Sequence, residues 1–218
     1  NALYESPKLV LECCDANSVP VITLLPDASV AGLFTLDSEL SKTPGPAVPK
    51  ATKDDLALVL HTSGTTKKPK IVPLTHGNIG HGVQFVARTL RRQPDDVCIN
   101  IMPLFHIHGV IANIMVTLYS GSRVVCTRGF QGGDDFLDKL GDDSLGPPTW
   151  YSAVPTMHEA ILLAAEDRGA KGPWKHSLAM LRNCSAALLP PVSKRFIEAF
   201  GTALKKDFTV VPTYAMTE

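Results

Sequence analysis

Small hydroxyl, glycine and lysine residues are concentrated in one short stretch of this sequence, residues 61–70 (HTSGTTKKPK). Small side chains around a glycine leave backbone N–H groups free to surround an anion, and the Ser and Thr hydroxyls add further donors. Lys67, Lys68 and Lys70 supply positive charge that suits a polyphosphate. The stretch is not the common P-loop, because that motif needs a second glycine and a Lys-Ser/Thr pair. Composition alone leaves two interpretations open, a phosphate-binding loop and an exposed Ser/Thr turn between two strands.

Three histidines in two further segments are also candidates for chemistry. Residues 102–109 (MPLFHIHG) place His106 and His108 two positions apart. On an extended segment both side chains point the same way, so a metal pair is one interpretation, although no third ligand follows at a convincing spacing. A histidine hydrogen bonded by backbone at a strand end is the alternative for His106. Residues 150–158 (WYSAVPTMH) place His158 in the first turn of a predicted helix, where it faces either a pocket or the core.

The composition excludes several function classes. Hydrophobic residues make up 44% of the 218 and charged residues 19%, with Lys+Arg and Asp+Glu equal at 21 each, which predicts a globular protein with a core. The neutral balance argues against binding to nucleic acid or to an anionic membrane. No apolar run reaches the roughly 18 residues of a spanning helix. Five cysteines without a CxxC pair predict reduced thiols in a cytoplasmic protein rather than a disulfide framework or a zinc site.

Short β-branched apolar runs alternate with helical patterns over most of the length. The predicted strands are residues 8–11, 21–25, 56–60, 71–74, 97–102, 123–127, 149–153, 180–184 and 208–211. The predicted helices are residues 76–91, 110–119, 134–140, 155–168 and 191–200, with Thr75 as an N-cap and Pro155 and Pro191 in first turns. This rhythm predicts an α/β fold with a largely parallel sheet flanked by helices. Residues 38–53, rich in Pro, Ser and Lys, predict an exposed connector.

Four motifs, taken in order, resemble the adenylate-forming superfamily of acyl-CoA synthetases, luciferases and peptide-synthetase adenylation domains. They are TSGTTKKPK at 62–70, PLFHIHG at 103–109, RNCSAAL at 182–188 and YAMTE at 214–218. The first departs from the family's TSGTTGxPKG at Lys67 and Ile71, where relatives usually have glycine. Lys67 adds charge beside the phosphates, and the β-branched Ile71 stiffens a loop that should be mobile.

The resemblance implies ATP, Mg²⁺ and CoA as cofactors and cosubstrate, and it assigns site residues by motif. The implied nucleotide-binding residues are Thr62, Ser63, Gly64, Thr65, Thr66, Lys67, Lys70, Ser185, Ala186, Ala187, Tyr214, Ala215, Met216 and Thr217. The implied catalytic residues are Lys70, His106, Thr217 and Glu218, with Glu218 also the Mg²⁺ ligand. The residues expected near the acid substrate are His106, His158 and Ser185.

The motifs together are most similar to the oxalate–CoA ligase branch of the superfamily. The resemblance implies that a small carboxylic acid, with oxalate the best guess, is activated as acyl-AMP and transferred to CoA. Another short- or medium-chain acid remains an alternative, as does a degenerate nucleotide-binding or structural subunit, because of Lys67 and Ile71. Residues 1–218 are expected to be part of the large N-terminal adenylation domain and inactive alone, with the small C-terminal domain of relatives, and any peroxisomal address, lying beyond Glu218.

Overall fold

The computed structural model describes residues 7–19, 21–27, 34–37, 49–62, 69–171, 175–204 and 208–217. These residues divide into two compact units, Asn1–Lys50 and Ala51–Glu218, and each unit is described by itself. Of the predicted connector 38–53, residues 49–53 are exposed and residues 38–48 lie outside the described residues. Among the described residues, no helix combines the length and the hydropathy needed to cross a membrane.

The first unit contains a helix and a small hairpin. Helix α1 is Pro7–Ala16, and strands β1 (Thr23–Pro26) and β2 (Phe34–Asp37) pair antiparallel. The predicted strand at 8–11 is therefore wrong. A proline at the first helical position needs no hydrogen-bonded N–H, and Lys8 and Glu12, one turn apart on α1, form an ion pair at 3.9 Å. Strand β2 was not predicted.

The second unit is built on a five-stranded parallel sheet. Its strands are β5 (Val97–Asn100), β6 (Arg123–Cys126), β7 (Trp150–Ala153), β8 (Met180–Asn183) and β9 (Thr209–Pro212), in the order β6-β5-β7-β8-β9. Its helices are α2 (His76–Thr89), a π-helix (His108–Met115), α3 (Val116–Tyr119), α4 (Gly133–Leu140), a 3₁₀ turn (Asp143–Leu145), α5 (Pro155–Ala170) and α6 (Pro190–Leu204). The predicted α/β fold with a parallel sheet flanked by helices is confirmed.

Alternate side chains of the sheet enter two separate hydrophobic clusters. Ile99, Tyr151 and Leu181 pack in one cluster with residues of α4, α5 and α6. Cys98, Trp150 and Met180 pack in the other with residues of α2 and the π-helix. Because successive side chains of a strand point to opposite faces, the two clusters lie on the two faces of the sheet. Both faces are therefore covered, as expected of parallel strands.

A hairpin outside this sheet carries the proposed phosphate loop. Strands β3 (Leu56–His61) and β4 (Ile71–Thr75) pair antiparallel, so the prediction of parallel strands does not extend to them. The backbone N–H of Thr62 donates to the Lys70 carbonyl at 3.0 Å, and the N–H of Lys70 donates to the Thr62 hydroxyl at 3.1 Å. Strand β4 runs directly into α2, where Thr75 and Asn78 form a capping box, which confirms the predicted N-cap.

The predicted helix at 110–119 begins earlier and is wider than expected. Residues His108–Met115 form a π-helix that continues as α3. Asn113 is fully buried, and its Nδ2 donates to Asn100 Oδ1 at 2.8 Å and to the Ser152 carbonyl at 3.3 Å. These bonds fix the helix to the ends of β5 and β7. Segments of π-helix are rare and frequently occur at functional sites.

Candidate functional site

Three adjoining cavities lie at the carboxyl ends of the parallel strands, where ligands bind in open α/β sheets. The tyrosine cavity, of about 500 Å³, is bounded by the loops that follow β8 and β9. The histidine–arginine cavity, of about 330 Å³, is lined by His106, His108 and Arg182. The hairpin cavity, of about 570 Å³, lies between β4, α2 and the π-helix. Residues 213–217 contribute to the walls of all three cavities.

The tyrosine cavity brings together five of the residues that the motifs predict for a nucleotide. Its lining includes Ser185, Ala186, Ala187, Tyr214 and Ala215. The Tyr214 side chain is 88% exposed, so its ring is free to stack on a base. Short side chains after β8 let a flat ring approach the backbone.

Asn183 holds the two loops of this cavity together. Its Nδ2 donates to the Ala186 carbonyl at 2.7 Å. Its carbonyl accepts from the Thr213 N–H at 2.9 Å and from the Thr213 hydroxyl at 2.7 Å. The Oδ1 of Asn183 is buried and has no hydrogen-bond partner among the described residues. An unpaired acceptor beside a cavity of small side chains fits the exocyclic amino group of an adenine, so the residues present suit AMP or ATP.

Ser185 lies between two of the cavities in a strained backbone conformation. Its φ is +74°, which is uncommon for a residue with a Cβ. It lines both the tyrosine cavity and the histidine–arginine cavity. Strained residues of this kind cluster at ligand-binding sites, which supports the prediction that Ser185 contacts a ligand.

The histidine–arginine cavity contains a buried polar chain that joins two strands and the π-helix. Ser152 on β7 and Arg182 on β8 are register partners. The Nη1 of Arg182 donates to Ser152 Oγ at 3.2 Å, and Ser152 Oγ lies 2.5 Å from His108 Nε2. Arg182 is 4% exposed and His108 3% exposed.

Burial determines the charges of these two groups. It lowers the pKa of His108 to about 3, with a further lowering from the nearby Arg182 guanidinium, so His108 is neutral at physiological pH. Burial also lowers the pKa of Arg182, which nevertheless stays charged because guanidinium groups in proteins do not lose their proton near neutrality. The cavity therefore has one buried positive charge.

His106 is half-buried and lines the same cavity. Its Nδ1 accepts from the backbone N–H of His108 at 3.1 Å, which leaves Nε2 as the nitrogen available to a ligand. His106 precedes the π-helix in a bend, and His108 is the first residue of that helix, so the two do not share one extended segment. In the part of the chain that the structure describes, no cluster of three His, Cys, Asp or Glu side chains suits a metal ion. The metal-pair interpretation therefore has no support.

The structure places His158 in the core and in the lining of none of these three cavities. It is fully buried on α5, with Nδ1 2.9 Å from the Tyr151 hydroxyl and the Phe196 ring 5.8 Å away edge-on. Burial lowers its pKa to about 4. The expected contact between His158 and substrate does not fit this position, and the alternative of a core histidine does.

The remaining motif residues divide between described and undescribed positions. Met216 and Thr217 line both the histidine–arginine cavity and the hairpin cavity. Thr62 and Lys70 are at the two ends of the β3–β4 loop. Ser63, Gly64, Thr65, Thr66, Lys67 and Glu218 lie outside the described residues, so the phosphate-loop and Mg²⁺ assignments stay predictions.

Sequence reasoning assigned no role to Arg182, Ser152 or Asn183. One signal was available for Arg182, because arginine is almost never fully buried unless it is paired. It stands inside the apolar run MLRNC of a strand predicted to be buried on both faces. The register that pairs Arg182 with Ser152 is not visible in the sequence.

Comparisons with known proteins agree on one family. A sequence model described as "AMP-binding enzyme" matches residues 4–218. Probable CoA ligase CCL9 of Humulus lupulus is 38% identical over 79% of this chain and 31% of its own length. An oxalate–CoA ligase of Arabidopsis thaliana is 39% identical over 76% of this chain and 30% of its own length. The structure of ATP-bound MatB from Rhodopseudomonas palustris is 28% identical with a TM-score of 0.60, over 77% of this chain and 30% of that one. The chain thus spans less than a third of these curated relatives.

Proposed function

The chain belongs to the AMP-binding enzyme family, and on that premise we propose that it forms part of an ATP-dependent carboxylate–CoA ligase. In the first half-reaction a carboxylate oxygen attacks the α-phosphate of MgATP, and pyrophosphate leaves. In the second, the thiol of CoA attacks the acyl carbon, and AMP leaves. Relatives named as CoA ligases, at 38% and 39% identity, support this chemistry.

One observation carries the proposal: the cavity that suits a nucleotide adjoins the cavity that suits an acid. Ser185 and Ala215 line both the tyrosine cavity and the histidine–arginine cavity. Attack of a carboxylate on a phosphate requires the two reactants to be held in contact and aligned. Two cavities that share Ser185 and Ala215 as lining residues support such an arrangement.

The roles of the nucleotide-side residues follow from their chemistry. Tyr214 stacks on the adenine, and the Asn183 Oδ1 accepts from its amino group. Lys70 and the hydroxyls of residues 62–66 bind the phosphates and stabilise the charge that develops on them. Thr217 donates its hydroxyl to the α-phosphate, and Glu218 holds Mg²⁺, which supplies further charge neutralisation.

A small acid is the proposed substrate, with oxalate the best guess. The histidine–arginine cavity has only about 330 Å³, which suits a short acid better than a long acyl chain. The relative from Arabidopsis thaliana named oxalate–CoA ligase supports this choice. His106 is assigned to the reacting carboxylate, because it lines the cavity and its Nδ1 is already hydrogen bonded, which leaves Nε2 for the acid.

Ile71 favours a second candidate, a nucleotide-binding subunit that has lost catalysis. It begins β4 and pairs with His61, so the hairpin ladder runs up to the edge of the phosphate loop. A β-branched residue held in a ladder restricts the adjoining backbone. A subunit with such a stiffened loop would bind a nucleotide without catalysing the ligase reaction.

ATP–pyrophosphate exchange distinguishes the two candidates. The experiment uses the protein in its full natural length with MgATP and, in turn, oxalate, malonate, acetate, a medium-chain fatty acid and a cinnamate. Ligase function predicts exchange that depends on one of the acids and is strongest with oxalate. Binding of AMP without exchange for any acid would refute the ligase proposal and support the degenerate subunit.

A further inference from the structure

Arg182 occupies a position where a cation needs an external partner. It lies on β8 beside Ser152, and Cys184 follows two residues later on the same face. All three positions face the π-helix side of the sheet, away from the α4–α6 cluster. The guanidinium is therefore held between the sheet and the π-helix, at the wall of the histidine–arginine cavity.

The described residues leave this guanidinium largely unsatisfied. A guanidinium has five N–H donors. Among the described residues, only Ser152 Oγ offers an oxygen, at 3.2 Å from Nη1, while Nη2 contacts the weak acceptor Cys184 Sγ at 3.9 Å. In the same part of the chain, the buried Nε has no hydrogen-bond partner and no carboxylate forms an ion pair with Arg182. A buried charge without a counter-charge is strongly unfavourable.

His108 adds a second unpaired donor to the same wall. Ser152 Oγ accepts from Arg182, so its own proton is available for His108 Nε2. We assign His108 the tautomer that accepts the Ser152 proton at Nε2 and carries its own hydrogen on Nδ1. The Nδ1 is buried and has no partner among the described residues. Among the described residues, Arg182 therefore has only Ser152 Oγ and the Cys184 sulfur as acceptors, and His108 Nδ1 has none.

We propose that Arg182, supported by His108, binds a second anionic group of the substrate, so that the site selects short dicarboxylic acids over monocarboxylic acids. The inference rests on the proposed ligase function and assigns its specificity to a residue pair. The distal carboxylate supplies the missing acceptors and the missing counter-charge, and the proximal carboxylate remains near His106.

Acid-dependent ATP–pyrophosphate exchange tests the proposal, with oxalate and malonate compared against acetate and propionate. The wild-type comparison needs no variant: kcat/KM should be at least about 10-fold higher for a dicarboxylate. Arg182→Met keeps the length of the side chain and removes its charge. It should raise KM for the dicarboxylates by about 10- to 100-fold, the range of a lost charge-assisted hydrogen bond, and leave KM for ATP unchanged.

Two further variants separate recognition from structural damage. Arg182→Lys keeps the charge without the fork of donors, so it should recover part of the dicarboxylate preference. Arg92→Met is the matched control, because Arg92 is also largely buried but pairs with Asp96 and lies over Trp150 rather than in a cavity lining. It should keep the wild-type ratio of dicarboxylate to monocarboxylate activity.

The outcomes separate this inference from the proposed function. Exchange that is strongest with a monocarboxylate in the wild type would overturn the inference and leave the ligase function standing. Equal losses for both acid classes in Arg182→Met, with binding of AMP intact, would also overturn it, because the residue would then be structural. Absence of exchange with every acid would instead refute the ligase function.

Discussion

Gly109 offers a sharp test of the packing that positions the site. A Cβ added there would lie 2.2 Å from the Pro103 carbonyl oxygen and 3.0 Å from the Met102 carbonyl oxygen. Both neighbours are backbone atoms, so the strain of Gly109→Ala cannot be relieved by a side-chain rotation. Either the chain before the π-helix or the helix itself must move.

The expected loss of stability is the difference of two effects. Overpacking in a close-packed region costs about 1–3 kcal/mol. Alanine in place of a helical glycine returns about 0.5–1 kcal/mol. Because a contact of 2.2 Å to a carbonyl oxygen is severe, we place the net destabilisation near the upper part of the range, at about 2 kcal/mol.

Urea unfolding measures the free energy of unfolding of Gly109→Ala against wild type, with Gly80→Ala as the matched control. Gly80 is exposed in the middle of α2, and a Cβ there meets no atom within 4 Å, so Gly80→Ala should be neutral or stabilising by up to about 1 kcal/mol. Gly109→Ala should also weaken the binding of an acid in the histidine–arginine cavity. His108 is adjacent to Gly109, and a shift of the helix would disturb its contact with Ser152. A midpoint for Gly109→Ala equal to wild type would show that Pro103 and Gly109 do not approach as closely as described.

Two further predictions concern charge. Lys70→Ala should weaken the binding of ATP by about 1.5–3 kcal/mol and the binding of AMP much less, since the β- and γ-phosphates carry the charge that Lys70 is proposed to meet. Isothermal titration calorimetry with each nucleotide measures the two losses. Equal losses for ATP and AMP would mean that Lys70 is only a surface cation. Burial lowers the pKa of His158 to about 4, so between pH 6.5 and 4 the unfolded state binds more protons than the folded state. The stabilisation from the neutral ring is therefore complete above pH 6.5 and falls as the pH decreases towards 4. His158→Phe should reduce the slope of unfolding free energy against pH there by up to about 1.4 kcal/mol per pH unit, and an unchanged slope would contradict the burial of a neutral ring.

Local chemistry made the second unit largely predictable. Thr75 caps α2 as its residue type predicts, and Pro155 opens α5. The five parallel strands have the short apolar runs that identify buried strands. In the first unit, the triplet Leu9–Leu11 was too short to separate strand from helix, and the structure has a helix there.

Long-range contacts explain what the sequence did not reveal at the site. The motifs assign Ser185, Ala186, Ala187 and Tyr214 to a nucleotide, and the structure has all four in the lining of one cavity, while their contact with a nucleotide stays a prediction. They did not distinguish the first-turn His158, which points into the core, from a ligand-facing residue. Asn113 in the π-helix is hydrogen bonded to Asn100 and Ser152, and sequence periodicity does not report contacts at separations of 13 and 39 residues.

The alternation along β7 and β8 places the side chains of neighbouring residues on opposite faces of the sheet. Ser152 and Arg182 are on the face that carries the π-helix, while their direct neighbours Tyr151 and Leu181 belong to the core cluster on the other face. If Arg182 selects the acid as proposed, a change at 182 acts on acid choice without touching the packing of Tyr151 and Leu181. A library randomised at the cavity-lining positions 182 and 184 should therefore contain more folded members than one randomised at the core positions 151 and 181, and the role proposed for Arg182 predicts altered acid preference among them.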